Sequence, residues 1–268
     1  MSHHVPDIAH TTMPATAQLL FTVVTGVPML IVLAIAIDHV RRGKGPLLLF
    51  CFIGGALAAL FEPVADILSC LYFPVLGQHT AFTALGRPIP WALVFAYPWF
   101  VGGQGYLSYW VFSKGVPAVR IWQLWGVFAV SNVLVETPGV LTGFHAYYGN
   151  QPLNFWGFPL WQAAVQSIMP MAAGALIFAL RGRLGSGWKL AAIIPLLPMA
   201  DGMVNAGLAL PIWLTLGSDA SLWATYLGAA VTIGVAAYAV WLLTELLSRK
   251  TIVPKAGSVR HRSRLSGR

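Results

Sequence analysis

Seven apolar runs leave this chain almost no sequence from which to build a water-soluble domain. They lie at about 17–37, 46–73, 90–112, 119–142, 158–180, 190–214 and 221–247, each near or above the roughly 20 residues needed to cross the hydrocarbon core of a bilayer as a helix. Lipid offers no partner to a backbone N–H or C=O, so such runs close their hydrogen bonds internally. The expectation is an all-α polytopic membrane bundle of seven transmembrane helices. Residues 1–16 form an amino-terminal arm, 17–248 the membrane domain and 249–268 a basic tail. Charged residues make up only 9% of the 268, against about a quarter in soluble domains.

The few charges orient the bundle. Arg41, Arg42 and Lys44 follow the first run, Lys114 and Arg120 the third, Arg181, Arg183 and Lys189 the fifth, and seven more Lys or Arg the last. Only Arg87 stands in the other set of loops. Cationic loops stay in the cytoplasm, so the amino terminus is expected outside and the carboxy terminus inside a cell membrane. The same count accounts for the net charge of +8 without nucleic acid. The tail is expected on anionic headgroups of membrane lipid. The first run lacks a basic leading region and ends in Arg41-Arg42, so it reads as an anchor and not as a cleaved signal. Cys51 and Cys70 fall on one expected helix, roughly 28 Å apart, and form no redox or metal motif.

Four of the runs carry two polar side chains spaced by one helical turn: Glu62/Asp66, Asn132/Glu136, Gln162/Gln166 and Asp201/Asn205. That spacing puts each pair on one face, and such residues inside a membrane face the bundle interior or a wet cavity. With the orientation above, all four pairs lie at the midplane or in the outer half, and Gln104 is near mid-depth. Prolines beside them (Pro63, Pro138, Pro195, Pro198) free carbonyls and bend helices there. The loops expected outside are aromatic and polar, with His79, Arg87 and Trp91 in one and His145, Tyr147 and Tyr148 in another. They read either as a lid over a cavity or, for most of the aromatics, as the belt at the membrane surface.

No Lys or Arg lies within a span to neutralise the four acids. Desolvation disfavours an unpaired carboxylate, so protons are expected to be held or shared among them. Acids in unlike environments suit general acid–base chemistry. Glu62 and Asp66 are therefore taken as the acid–base pair, with Glu136 and Asp201 sharing protons. Asn132, Gln162, Gln166, Asn205, Gln104, His145, Tyr147 and Trp91 are taken to position a substrate. With no aspartate-rich diphosphate motif and no paired histidines, neither a metal nor another cofactor is expected. A retinal protein is excluded because the last run has no lysine.

One longer pattern goes beyond single residues. Glu62-Pro63 is followed by Gly86-Arg87-Pro88-Ile89-Pro90-Trp91, then by Glu136, Gly143-Phe144, Tyr147-Tyr148 and Phe158-Pro159-Leu160-Trp161. This order, across residues 60 to 180, resembles the AveC-like spirocyclase family of bacterial integral membrane proteins, known from spiroketal formation in polyketide biosynthesis. The resemblance implies cyclisation or dehydration of a lipophilic polyketide- or isoprenoid-like small molecule without a redox cofactor. It assigns no catalytic residue, so the site above rests on depth and spacing. The alternatives are a proton-coupled transporter or membrane binding protein for a small lipophilic compound, and an accessory subunit whose polar faces pack on a partner.

Overall fold

The computed structural model describes residues 6–218 and 220–248. The basic tail, and with it the expected lipid contact, lies outside the described residues. Among those described, six helical stretches are long and apolar enough to cross a membrane: Ala15–Arg41, Leu47–Leu68, Ala118–Leu141, Leu160–Leu184, Gly187–Leu216 and Leu222–Leu247. The chain is a mostly helical membrane bundle. The remaining apolar run is also helical, from Trp91 to Ser113, but its glycines, tyrosines and Gln104 make it more polar than the other six.

Three of these rods are broken between two helical halves, and the stretch Gly187–Leu216 opens as a 3-10 helix (Gly187–Ile193) before its α-helix. The second consists of α2 (Leu47–Ala58), a 3-10 turn (Ala59–Phe61) and α3 (Glu62–Leu68). Pro63 has no N–H to donate backward, so the helix restarts at Glu62. It ends at Leu68, and Cys70 lies beyond it with a left-handed φ of 54°, so the helix expected to hold both cysteines is shorter than its apolar run. Both thiols are free and buried. The third rod is α4 (Trp91–Tyr97), a π-helical turn (Pro98–Gly103) and α5 (Gln104–Ser113). The fifth is α7 (Leu160–Gln166) and α8 (Ile168–Leu184), parted at Ser167. The unbroken helices are α1 (Ala15–Arg41), α6 (Ala118–Leu141), α9 (Leu196–Leu216) and α10 (Leu222–Leu247).

Proline sets many of the starts. Pro14, Pro46, Pro117 and Pro159 immediately precede α1, α2, α6 and α7, where an absent N–H costs no helical bond. Glycine sets stops. Gly43 and Gly143 take left-handed φ values of 71° and 75°, and the next residues, Lys44 and Phe144, donate their N–H back to His39 and Gly139.

Within the bundle α5 packs on α8, α9 on α8 and α10, and α2 on both α9 and the π turn. Small residues let backbones meet. A Cβ on Gly55 would lie 2.7 Å from Gly102 N, and one on Gly174 would collide with Ser108. Helix α1 is apolar all round and exposes Leu19, Val23, Leu30 and Ile31, which suits a lipid-facing rod.

The loops at one end are not the unstructured links an all-α reading implies. They form three two-stranded antiparallel ladders: β1 (Leu71–Tyr72) with β4 (Ala146–Tyr147), β2 (Thr80–Ala84) with β3 (Arg87–Pro90), and β5 (Asn154–Phe155) with β6 (Phe158–Pro159). Leu85-Gly86 turns the second with both φ positive, at 52° and 71°, as a tight type I′ hairpin requires. The amino-terminal arm joins this end, where Thr12 bridges Leu76 and Met13 N–H donates to Leu76 O at 2.9 Å. At the opposite end, His39 of α1, Lys44 and Arg181 of α8 line one cleft.

Candidate functional site

The broken rods converge beneath the ladders. The break before α3 puts Glu62 and Asp66 on one short helix facing α4, α6 and the loop 142–159, and both line an internal cavity. Glu136 of α6, Gln162 and Gln166 of α7, Asn205 of α9, and His145 and Tyr147 of the loop share that lining. Each of the four spaced pairs has at least one member on this cavity or on the narrow space beside it, which Asn132, Glu62 and Glu136 line.

Each acid has different neighbours. Glu62 accepts a hydrogen bond from the Tyr97 hydroxyl, which stands at the end of α4 just before the π turn. Glu136 is a quarter exposed and its Oε2 lies 3.2 Å from Nε2 of the buried His145; the two are in ion-pair range but off the line of a hydrogen bond. Asp66 is buried, and its Oδ1 has no hydrogen-bond partner. Asp201 is fully buried and stands behind the lining. Its carboxylate accepts from Asn205 Nδ2 at 3.1 Å, so Asn205 is the member of that pair facing the cavity. The amides are paired too, with Asn132 donating to Gln166.

Several buried polar atoms here have no protein partner: Asp66 Oδ1, Asn132 Oδ1, His145 Nε2, Tyr147 OH and Asp201 Oδ2. Buried polar groups normally find one, so their concentration marks a space built for polar contents. The cavity is narrow. About 60 Å3 is open to the centre of a water-sized sphere, room for a few waters at roughly 10–15 Å3 each. A bulky molecule does not fit entire.

The aromatic loops divide into lid and belt. Phe73, Phe144 and His145 are buried, and the His145 ring sits 5.8 Å from both Phe73 and Tyr147. These side chains roof the cavity. Burial holds the Tyr147 phenol well above its usual pKa, so Tyr147 stays neutral and can donate a hydrogen bond. Phe155 and Trp156 are exposed and stack on each other, as expected of a belt.

Two expected site residues lie elsewhere. Trp91 is 47% exposed and packs on Phe95; as the first residue of α4 it points away from the rod's inner face. Gln104 directly follows the π turn as the first residue of α5 and lines a separate groove together with Val32 of α1. Conversely, Tyr97, Thr25, Ser69 and Met169 line the cavity without standing out in the sequence. Only the Tyr97-Pro98 pair gave a local cue, a proline that disturbs its rod. Arg87, the one basic residue on the wrong side of the charge pattern, is 7% exposed and donates to the Tyr148 hydroxyl at 3.1 Å. Among the described residues Arg87 pairs with none of the acids, and its Nη1 has no hydrogen-bond partner.

Among the described residues no three His, Cys, Asp or Glu side chains stand where they would hold one metal ion. Comparison with protein-family models, curated proteins and solved structures yields no match for this chain. Fold and site together define a multi-pass membrane bundle with a roofed, carboxylate-lined internal cavity.

Proposed function

We propose that this chain is a cofactor-independent cyclase or dehydratase of the cell membrane that works by acid–base chemistry on a lipophilic, oxygen-bearing substrate. The observation that carries the reading is the convergence of Glu62, Asp66 and Glu136 on one cavity with unlike surroundings: a phenol at Glu62, an imidazole at Glu136 and no hydrogen-bond partner on Asp66 Oδ1. Unlike surroundings separate a proton donor from a proton acceptor among chemically similar groups. In a ring closure of the spiroketal type, a carboxylic acid protonates a hemiketal hydroxyl, which leaves as water. The oxocarbenium ion is then captured by a second hydroxyl, whose proton passes to a carboxylate. The sum is substrate to cyclic product plus water, with no oxidant or reductant. The AveC-like resemblance supports the same chemistry.

In this reading the rod from Trp91 to Ser113 is a seventh crossing, the ladders and the cavity face outward, and the carboxy terminus is cytoplasmic, as the positions of the basic residues favour. The test is to incubate the purified chain, in lipid, with a synthetic long-chain dihydroxyketone and to follow product by mass. The expected result is loss of one water to a single stereoisomer, abolished in Glu62→Gln and in Asp66→Asn while both variants insert normally. Full turnover in both variants would remove the acid–base pair.

A second reading has its own observation. Three rods break at the cavity, and broken helices at mid-membrane are a habit of transporters. Under that reading the same compound is carried unchanged across vesicles in exchange for protons.

A further inference from the structure

The end of the bundle away from the ladders gathers positive charge without a counter-ion. Lys44 stands in the turn between α1 and α2, Arg181 in the last turn of α8 and His39 in the last turn of α1, and all three line one cleft of about 350 Å3. No carboxylate joins that lining. The acid nearest in sequence, Asp38, is taken by Arg42 at 2.7 Å. Among the described residues Lys44 enters no ion pair, and Arg181 donates from one nitrogen to the Gly185 carbonyl. An apolar groove of about 390 Å3 adjoins the cleft, and His39, Leu48 and Tyr106 line both. The groove runs between α1 and the rod of α5, with Pro28, Ile31 and Ile35 on one side and Trp99, Gly103 and Leu107 on the other. Helix α1 packs on α4, α2 and the π turn but hardly on α5, which leaves this space between them. Pro28 stands eleven residues before His39, a rise of roughly 16 Å. That is one leaflet of a hydrocarbon core about 30 Å thick.

We propose that cleft and groove together hold one phospholipid with an anionic headgroup, its phosphate at Lys44 and Arg181 and one acyl chain along α1. Basic residues at this end of a membrane bundle follow from topology alone. A cleft that collects two of them from separate elements, with a leaflet-deep apolar groove at its edge, does not. The two halves of the site narrow the occupant from opposite directions. Lys44 and Arg181 would bind any phosphate through charge-assisted hydrogen bonds, and the adjoining groove selects one that carries hydrocarbon. The groove would accept the chain of any bilayer lipid, and the uncompensated charge selects an anionic one. Such a lipid fills the space between α1 and α5 and ties α1 to the bundle. The site lies at the end opposite the ladders and is independent of the catalytic reading.

The test titrates the full chain, purified in mild detergent, with phosphatidylglycerol. Native mass spectrometry counts the retained lipid, and the thermal midpoint is read in parallel, since a ligand of the folded state raises it. One phosphatidylglycerol per chain is expected to bind saturably and to raise the midpoint. Phosphatidylcholine is expected to bind at least tenfold more weakly, and glycerol 3-phosphate, a headgroup without a chain, to do neither. Lys44→Gln and Arg181→Gln are each expected to weaken binding roughly tenfold, the effect of losing one charge-assisted hydrogen bond. Lys189→Gln removes an exposed charge from the same end but outside the cleft, and is expected to leave binding unchanged. Ile35→Trp fills the groove and is expected to abolish binding. Leu30→Trp, also exposed on α1 but outside the groove, is expected to bind as the parent does. Both positions are exposed, so neither substitution is expected to lower the midpoint of the lipid-free chain. Equal binding of the two phospholipids, or an equal loss in Lys44→Gln and Lys189→Gln, would reduce the site to general surface charge and overturn the proposal. Glycerol 3-phosphate binding as tightly as the lipid, or binding that survives Ile35→Trp, would overturn it equally.

Discussion

Glu62 owes its setting to a residue 35 positions away, since the Tyr97 hydroxyl donates to its carboxylate. A hydrogen bond to a charged group contributes about 1.5–3 kcal/mol, so Tyr97→Phe is expected to lower thermal stability and, by leaving Glu62 without its donor, to lower turnover by roughly ten- to hundredfold. Unchanged turnover would make Tyr97 a packing residue. The acids themselves were legible in the sequence because a carboxylate in an apolar run needs a reason. Tyr97 was not, because a tyrosine in such a run needs none. Arg87 was visible and its place was not. It stood out as the lone exception to the charge pattern in an outer loop, and nothing in the sequence showed that the β2–β3 hairpin buries it against the Tyr148 hydroxyl.

At the scale of elements, the breaks set the geometry. The π turn widens its rod where α2 crosses it, and Gly55 and Gly102 bring the two backbones together. A methyl group on Gly102 would press on the carbonyl of Cys51, which has no freedom to move aside. Gly102→Ala is therefore expected to destabilise the protein by about 1–3 kcal/mol and to pull Tyr97 off Glu62. Gly126→Ala, with open space around it, serves as the comparison. Thermal unfolding in detergent, read beside turnover, checks both. The sequence located the helices, since long apolar runs have few alternatives in lipid. It also marked the break at Pro63. It did not show the π turn, whose extra residue depends on packing against α2, nor the ladders, whose two-residue strands are too short for an alternating pattern to register. Those two omissions account for the misplacing of Gln104 and Trp91, which sit beside them.

For the whole molecule, charge and shape lead to one expected orientation. A reporter active only outside the cytoplasmic membrane, fused at the carboxy terminus, is expected to stay silent. Asn150→Cys, in an exposed turn of a chain whose own thiols are buried, is expected to react with an impermeant maleimide added to intact cells. The reverse pair of results would turn the bundle over. The convergence of the spaced pairs was readable from polar residues one turn apart in apolar runs, whereas the narrowness of the cavity was not, because spacing says nothing of how closely the rods pack. The cavity also has a history. Its walls come from α1, α3, α4, α6, α7, α8, α9 and two loops, so during synthesis Glu62 and Asp66 emerge long before Glu136, Gln166 and Asn205 exist. Until α9 follows, the acids lack Asn205 and a closed space around them. A chain stalled or cut before α9 would leave those carboxylates without a finished interior, and a membrane quality-control protease would have a means of telling unfinished copies from complete ones.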